Sequence, residues 1–404
     1  MKLVSLLSTD PLATTIYSER YLNDSKGRFE DYSEVNPRFD PQGSLPYMHL
    51  PYALLPKESC AVFASEPSQD LLDWVRVGSA HKFFWHPDVM RPYLQIAGSV
   101  CAQPASSTRT LMTEAGEGYR VYIKTDLDKK HFRFVRRLQR SSVEHSVAVC
   151  ADLRELVATG VAMRRFAFLP ASLGIVVEGG EHEGSGVIYR EVIPVPPVQD
   201  RRVLLPYRAL YATDPYSPKD SPLLVQVVKM HGGDSPLEYF VSEIVGPVLE
   251  AWVLLVFQRG LLPELHGQNS LIEIDTHLRP RRVVYRDFQG TYSDPDTRSA
   301  RGLTIFKKHT AGAEPGTTKQ SQYSHVFDGM IGRYLIARLS RVFSTHFQVE
   351  YSTIAHAIAA YHHTIPGWDS ADFPSTTHRF GGTAQTQIGN DVTLVNTGIP
   401  PEFR

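Results

Sequence analysis

The chain has 404 residues, 42% of them apolar and 21% charged, with a formal net charge of -1. This is an ordinary globular composition, long enough for two or three hydrophobic cores, and it excludes a disordered or fibrous protein. Because Lys+Arg nearly cancel Asp+Glu, the surplus positive charge that suits nucleic acid or an anionic membrane is missing, and a small molecule is the expected ligand.

Cys60, Cys101 and Cys150 are far apart, with neither the pairing of a disulfide framework nor the spacing of a zinc site, so a reducing, cytoplasmic setting is expected. The opening residues MKLVSLLSTDPL hold too brief an apolar patch for an export signal, ended by Asp10 and Pro11. The longest apolar stretch, 244–257, is interrupted by Pro247 and Glu250 and falls short of the roughly 20 residues a membrane span needs. Neither export nor a membrane anchor is expected.

In chain order, residues 1–78 read as a short, loop-rich N-terminal segment with one helical pattern at Leu71, Leu72, Trp74 and Val75. Residues 79–200 read as a mixed α+β lobe. Strands are expected over 119–124, 166–169, 174–177 and 186–189, separated by Gly-containing turns, and helical spacing runs over 130–139 and 151–158. Residues 201–404, after the Pro-rich 194–197, read as mostly helical: 237–259, 323–347 and 351–362. One strand pair, 270–274 with 282–285, is inserted there and turns around Arg279 and Pro280.

The stretch richest in chemistry follows the helix 237–259. It contains Glu264, His266, Gln268 and Asn269, and Arg286-Asp287-Phe288-Gln289-Gly290 follows after the strand pair. Glu264, Asn269 and Asp287 are hard oxygen donors at the two ends of a short hairpin, a set suited to Mg²⁺ when nucleotide phosphates and water complete the coordination. His266 and Gln268 alternate with them and can donate hydrogen bonds to an anionic substrate or to charge developing in a transition state. The pattern resembles the metal-holding loops of protein kinases, but Gln289 precedes Gly290 and no kinase Asp base is present. The competing reading is a capped helix end and a polar surface hairpin.

A second cluster comprises Ser106, Ser107, Thr108, Arg109 and Thr110, then Lys124 at a strand end and Arg136 on the helix expected after it. Small hydroxyls followed by fixed cations make an anion cradle suited to nucleotide phosphates. The same composition also describes a solvated surface, as does the basic run around Lys129, Lys130, Arg133 and Arg137.

Together these clusters resemble the aerobactin-synthetase-like (IucA/IucC) family of siderophore synthetases that act independently of peptide-synthetase assembly lines. That family's Glu-x-His-x-Gln-Asn loop stands at Glu264 to Asn269, and its Arg-Asp-Phe-x-Gly turn at Arg286 to Gly290. Upstream and in family order come His86-Pro87, Ser107-Thr108-Arg109-Thr110, Lys124 and the strand that ends in Arg190-Glu191. The resemblance covers roughly 80–350. It implies that Ser107, Arg109, Lys124 and Arg190 bind ATP, that Glu264, Asn269 and Asp287 hold Mg²⁺, and that His266, Arg136 and Gln268 serve the carboxylate being activated. The implied fold is α+β, a cupped hand with a mixed β-rich nucleotide lobe and a helical palm that carries a kinase-like metal loop, often as a homodimer.

Three departures accompany the resemblance. The substantial N-terminal region of the family, with its own His-Pro and Lys elements, is largely missing before residue 80. Phe132 stands where the family's citrate enzymes have Thr, and Pro374-Ser-Thr-Thr377 stands where Pro-Thr-Lys is expected. Loss of a hydroxyl and a cation argues for an acid carrying less charge than citrate. The expected function is an ATP- and Mg²⁺-dependent ligase that adenylates a small carboxylic acid and passes the acyl group to an amine or alcohol, releasing AMP and pyrophosphate. The alternatives are a kinase-like phosphotransferase releasing ADP and a degenerate, non-catalytic binding homologue.

Overall fold

The computed structural model describes residues 1–23, 33–43, 45–89, 95–131, 134–160, 164–314, 316–381 and 393–404. Helix α1 (Pro11–Tyr21) is followed by β1 (Met48–Pro56), β2 (Cys60–Ala64), α2 (Gln69–Val75), β3 (Arg76–Val77), β4 (Ala80–Phe84), β5 (Gly98–Ser107), β6 (Thr110–Gly116) and β7 (Tyr119–Thr125). A short ribbon of β8 (Lys130–His131) and β9 (Phe134–Val135) leads to α3 (Arg140–Ala158), β10 (Phe166–Phe168), β11 (Leu173–Val177), β12 (Gly186–Glu191) and β13 (Arg201–Pro206). The second half adds β14 (Leu261–Leu262), β15 (Ser270–Asp275), β16 (Pro280–Tyr285) and β17 (Tyr292–Ser293) among helices.

The described residues form one nine-stranded antiparallel sheet in the order β2-β11-β12-β7-β6-β5-β1-β4-β3, and a four-stranded sheet in the order β10-β16-β15-β13. In the smaller sheet β10 runs parallel to β16, while the other pairs are antiparallel. Its strands are apolar on both faces for a simple reason. Ala167, Leu204, Leu271 and Val284 point to a small cluster shared with Ala105, Met112 and Tyr122 of the large sheet and Ile16 of α1. Their chain neighbours Phe166, Phe168, Val203, Leu205, Ile272 and Val283 point the other way, into the main helical core. A sheet buried on both faces needs near-continuous apolar strands, and period-two alternation sorts the side chains between the two cores.

The boundary expected near residue 78 falls inside the large sheet, where Val77 of β3 pairs with Ala80 of β4. β1 lies between β4 and β5, and β2 pairs with β11, so residues 48–64 are part of the lobe expected to begin at 79. Pro51 and Pro56 in β1 and the five-residue length of β2 weaken the strand signal. The boundary near 200 is likewise crossed, because β10 leaves the first lobe to join the sheet of the second.

The helix expected over 130–139 is replaced by the β8–β9 ribbon, in which the Arg136 amide donates to the Lys129 carbonyl at 3.0 Å and the Leu127 amide to the Arg136 carbonyl at 3.1 Å. The helix begins instead at Arg140, after an extended Gln139. The four strands expected from 119 to 189 and the hairpin 270–285 stand as read, within one or two residues at their ends. The apolar span Pro236–Arg259 is helical, and by length and composition it could cross a bilayer. However, 72% of its apolar 18-residue stretch is buried inside the protein, so its apolarity serves the core.

Helix α1 had no apolar stripe to announce it. Asp10 caps the Leu12 and Ala13 amides and Pro11 occupies the first turn, but the buried residues are mainly polar: Thr14, Thr15, Ser18, Glu19 and Arg20. Glu19, which has no solvent exposure, explains why. Its carboxylate accepts from Arg286 at 2.5 Å and from the Tyr122 hydroxyl at 3.0 Å, and its carbonyl accepts from Arg208 at 2.7 Å. This clamp fastens α1, β7 and the end of β16 to one another. Removing one partner of a buried pair leaves an uncompensated charge, so Glu19→Ala is expected to destabilise the protein by roughly 3–5 kcal/mol. A urea unfolding midpoint that does not move would show that the clamp is dispensable.

Candidate active site

Strand parity places the first two cations. On β7, Val121 and Ile123 face the core beneath α2, whereas Tyr122 faces the smaller sheet, so Lys124 also points toward the smaller sheet. On β12 the same alternation buries Val187 and Tyr189 beneath α2 and turns Arg190 the opposite way. Lys124 pairs in register with Ile188, and Tyr122 with Arg190, so the two cations are diagonal neighbours on one face of the sheet.

The third comes from the turn between β5 and β6. Ser107 pairs with Thr110, its hydroxyl donating to the Thr110 hydroxyl at 2.9 Å, which leaves Thr108 and Arg109 at the tip. His86 props this tip from below. Its Nδ1 accepts the Asp88 amide at 3.2 Å, so the neutral ring carries its proton on Nε2 and donates to the Thr108 carbonyl at 3.0 Å. Arg109 donates to the carbonyls of Arg136 and Arg137 at 2.7 and 3.2 Å and to Gln289 Oε1 at 3.0 Å.

The smaller sheet delivers the oxygen donors. Ser270 pairs with Tyr285, and the Arg286 amide donates to the Asn269 carbonyl at 3.0 Å, so Asn269 and Asp287 emerge at adjacent hairpin ends. Asp287 takes the left-handed conformation, φ 71°, unusual for a residue with a side chain. Two glycines make the loops fit. A Cβ on Gly290 would lie 2.3 Å from Glu264 Oε2, and one on Gly267 would lie 2.5 Å from the Tyr211 hydroxyl. The glycine of each motif therefore makes room for a neighbouring polar group.

Asp287 is the hub. Its Oδ1 accepts from Lys124 Nζ and lies 3.6 Å from an Arg190 nitrogen, while 31% of its side chain stays exposed. Burial acts to raise its pKa, but Lys124 and Arg190 overcome this and hold it well below the usual carboxylate range. Lys124 is lowered to about 7 by burial and by Arg109 and Arg190, against the pull of Asp287. Arg109 is lowered to about 10 by burial and Arg136. Glu264 is raised to about 7 by burial and by Asp287, with Arg136 and Lys124 acting in the opposite direction. The cluster is crowded with like charges on both sides.

His266 belongs to this cluster as a neutral group, lowered to about 4 by burial and by Arg208 and Arg286, with Asp287 opposing. Its Nδ1 accepts the Gln268 amide at 3.2 Å, so Nε2–H is a donor. The structure thus brings Arg109, Lys124, Arg136, Arg190, Glu264, His266, Asn269 and Asp287 into one region. Ser107 sits at the rim, paired with Thr110. Gln268 acts as a brace: its amide nitrogen donates to the Ser106 carbonyl at 2.9 Å, and its own carbonyl accepts from Arg286. Phe132 lies outside the described residues.

Sequence reasoning missed Glu19, Tyr122, Gln289, Ser142 and Lys308, because pairing across distant segments leaves no local pattern. Only Lys307-Lys308-His309 carried a signal, as a basic run in a loop.

Among the described residues no three His, Cys, Asp or Glu side chains form a metal-holding cluster. Two carboxylates and the Asn269 amide do fit a Mg²⁺ that keeps several positions for phosphate and water, and the mutual repulsion of Glu264 and Asp287 is what such a cation would relieve.

Comparison with known proteins gives three findings. The IucA / IucC family model matches residues 90–212, and the model described as ferric iron reductase FhuF-like transporter matches 238–378, which includes the Glu264–Asn269 loop and Asp287. No curated protein matches by sequence. Among solved structures, the chain is similar to ATP-bound aerobactin synthetase IucA from a hypervirulent pathotype of Klebsiella pneumoniae, with TM-score 0.74 at 13% identity over 99% of this chain and 78% of that one. It is also similar to the petrobactin biosynthesis protein AsbB from Bacillus anthracis str. Sterne, with TM-score 0.70, 13% identity and the same coverage. Aerobactin synthetase IucC from the Klebsiella pathotype gives 0.64 at 15% identity, over 89% and 70% of the two chains.

The fully buried His86 makes a pH test possible. Burial lowers it to about 4 from an ordinary 6.5. As pH falls through that window the unfolded chain binds a proton that the folded chain excludes. Stability present above about 6.5 is therefore lost on acidification, at up to ~1.4 kcal/mol per pH unit for this group. His86→Gln, which keeps a donor for Thr108, is expected to flatten the pH dependence of the urea midpoint between 6.5 and 4. An unchanged slope would mean that His86 titrates normally.

Proposed function

We propose that this chain, an IucA / IucC family member by its matched segment and its fold, is an ATP-dependent synthetase that adenylates a carboxylic acid and joins it to an amine or hydroxyl, as in siderophore assembly. The observation that carries this reading is the convergence of Lys124, Arg109, Arg190 and Arg136 on Asp287 and Glu264. Arg190 Nε is buried with no hydrogen-bond partner. More cations than carboxylates, one of them with an unmet donor, is an arrangement that a polyphosphate would complete. The likeness to an ATP-bound synthetase supports a nucleotide as that polyphosphate.

Lys124, Arg190 and Arg109 would bind the phosphates, and Arg136 with the Nε2–H of His266 would hold the acid. A carboxylate oxygen then forms a bond to the α-phosphorus of ATP as the α–β bridging bond breaks and pyrophosphate leaves. The amine or hydroxyl next attacks the acyl carbon, AMP departs, and the nucleophile's proton passes to solvent. Mg²⁺, held by Asp287, Glu264 and Asn269, would supply charge neutralisation at the phosphates. Because His266 Nδ1 is already engaged, the ring acts as a donor and orients the acid; positioning and electrostatics supply the acceleration. The cytoplasm, where Cys60, Cys101 and Cys150 stay free thiols, is the setting we assign.

Two other activities are separable. A kinase-like reaction at the same loop would release ADP. A thiolate-held iron centre, which the reductase description of 238–378 raises, has no cysteine to draw on in that segment.

An acid-dependent pyrophosphate-release screen over mono-, di- and tricarboxylates is expected to give AMP and pyrophosphate; ADP as product would remove the synthetase reading. Asp287→Ala and Asn269→Ala should each abolish turnover with the fold intact, and near-normal rates at saturating Mg²⁺ would remove the metal assignment.

Lys124→Ala and Arg109→Ala should raise the KM for ATP about 10- to 100-fold, and that for the acid far less, as expected for lost hydrogen bonds to a charged group. A shift confined to the acid would exchange the two pockets.

Substrate charge is the last test of this reading. In the Pro374 to Thr377 segment, where the family resemblance leads one to expect Pro-Thr-Lys, Thr377 is occupied by bonds to Thr397 and Ile399. We expect mono- or dicarboxylates, or a monoacylated intermediate, to outperform citrate, whose extra carboxylate would lack a partner. A kcat/KM highest for citrate would show that other groups replace the missing contacts.

A further inference from the structure

The loop that follows the short helix Pro295–Ala300 carries a cation that the proposed reaction has not used. Lys308 donates its ammonium to Ser142 Oγ, in the first turn of α3. The same hydroxyl accepts from Gln289 Nε2 at 3.3 Å, and Gln289 Oε1 accepts from Arg109 at 3.0 Å. A continuous hydrogen-bonded chain therefore runs from Lys308 through Ser142 and Gln289 to Arg109, one of the cations gathered about Asp287.

Lys308 is only partly exposed, and no carboxylate among the described residues forms an ion pair with it. Burial and the neighbouring Arg109 lower it to about 8. A half-buried ammonium beside a second cation, with a hydroxyl as its hydrogen-bond partner, is electrostatically unfavourable unless an anion joins them.

The backbone keeps Lys308 in place. The next residue, His309, is held at φ 52°, a left-handed conformation that a non-glycine residue adopts at a cost. The Ser293 amide donates to the His309 carbonyl at 2.7 Å, and the Ala311 amide to the Ser293 carbonyl at 2.8 Å. The His309 ring packs against Tyr292 and His145, with centroids 5.0 and 5.7 Å away. Strain and packing together point Lys308 inward.

We propose that Lys308 is a further substrate-binding cation of this site. With Ser142 and Arg109 it receives an anionic group, either a phosphate oxygen of the nucleotide or a carboxylate of the acid, and Gln289 positions Arg109 and Ser142 for it. This rests on the synthetase reading for the identity of the substrates, but not for the existence of the anion site.

The test compares wild type with Lys308→Met and with Lys308→Gln, which keeps a donor to Ser142. Calorimetry with tripolyphosphate and with ATP is run beside steady-state KM values for ATP and acid, and thermal midpoints confirm folding. Loss of the ammonium is expected to weaken one anion by about tenfold or more, and Lys308→Arg to restore part of it. Weaker tripolyphosphate binding identifies phosphate as the anion; unchanged tripolyphosphate binding with a raised acid KM identifies the carboxylate. Unchanged binding and KM values in folded Met and Gln variants overturn the proposal. If wild type releases no pyrophosphate yet binds tripolyphosphate in a Lys308-dependent way, the anion site stands and the synthetase reading fails.

Discussion

The repulsion among cations crowded at one cleft governs this site. Lys124 and Arg190 come from two strands, Arg109 from a hairpin tip and Arg136 from the segment after β9, and each is pushed toward its neutral form by burial. Asp287 counters them, and its carboxylate stays ionised because the cations outweigh its own desolvation. Such an arrangement is poised rather than settled: a polyanion entering the cleft meets donors already held in place, with no reorganisation required at the moment of reaction.

The scaffold exists to hold that tension. Two sheets meet through a small apolar cluster, and strand parity decides which side chains enter it and which reach past it into the cleft. The Glu19–Arg286–Tyr122 clamp then ties the two sheets through α1, joining the end of β16, which leads to Asp287, to β7, which carries Lys124. Arg286 of the Arg-Asp-Phe turn thus faces the interior, where it supports Asp287 from behind. The conspicuous motif residue is structural, and its neighbour faces the cleft.

Solved synthetases at 13–15% identity share this fold, so most of what they have in common lies in architecture. A shared fold does not fix a shared substrate, because specificity lies in the side chains placed on it. Lys308 and the 374–377 segment, both in loops, are where this chain can differ.

The sequence alone determined the period-two strands from 119 to 189, the hairpin 270–285 and the three long helices, because each has a local pattern that burial on one or two faces requires. It also identified the polar loop Glu264 to Asn269 and Asp287, where hard donors repeat at hairpin spacing. Residues 1–78 were misread as a lead-in, and 130–139 as a helix, because prolines, short strands and polar buried faces erase periodicity. Only the tertiary structure decided that Glu19 meets Arg286 across 267 positions and that Gln289 joins Arg109 to Ser142. It also decided that Gln268 braces a distant turn. Charge pairing of this kind depends on distance in space, and nothing in local composition encodes which far segment a buried carboxylate will face.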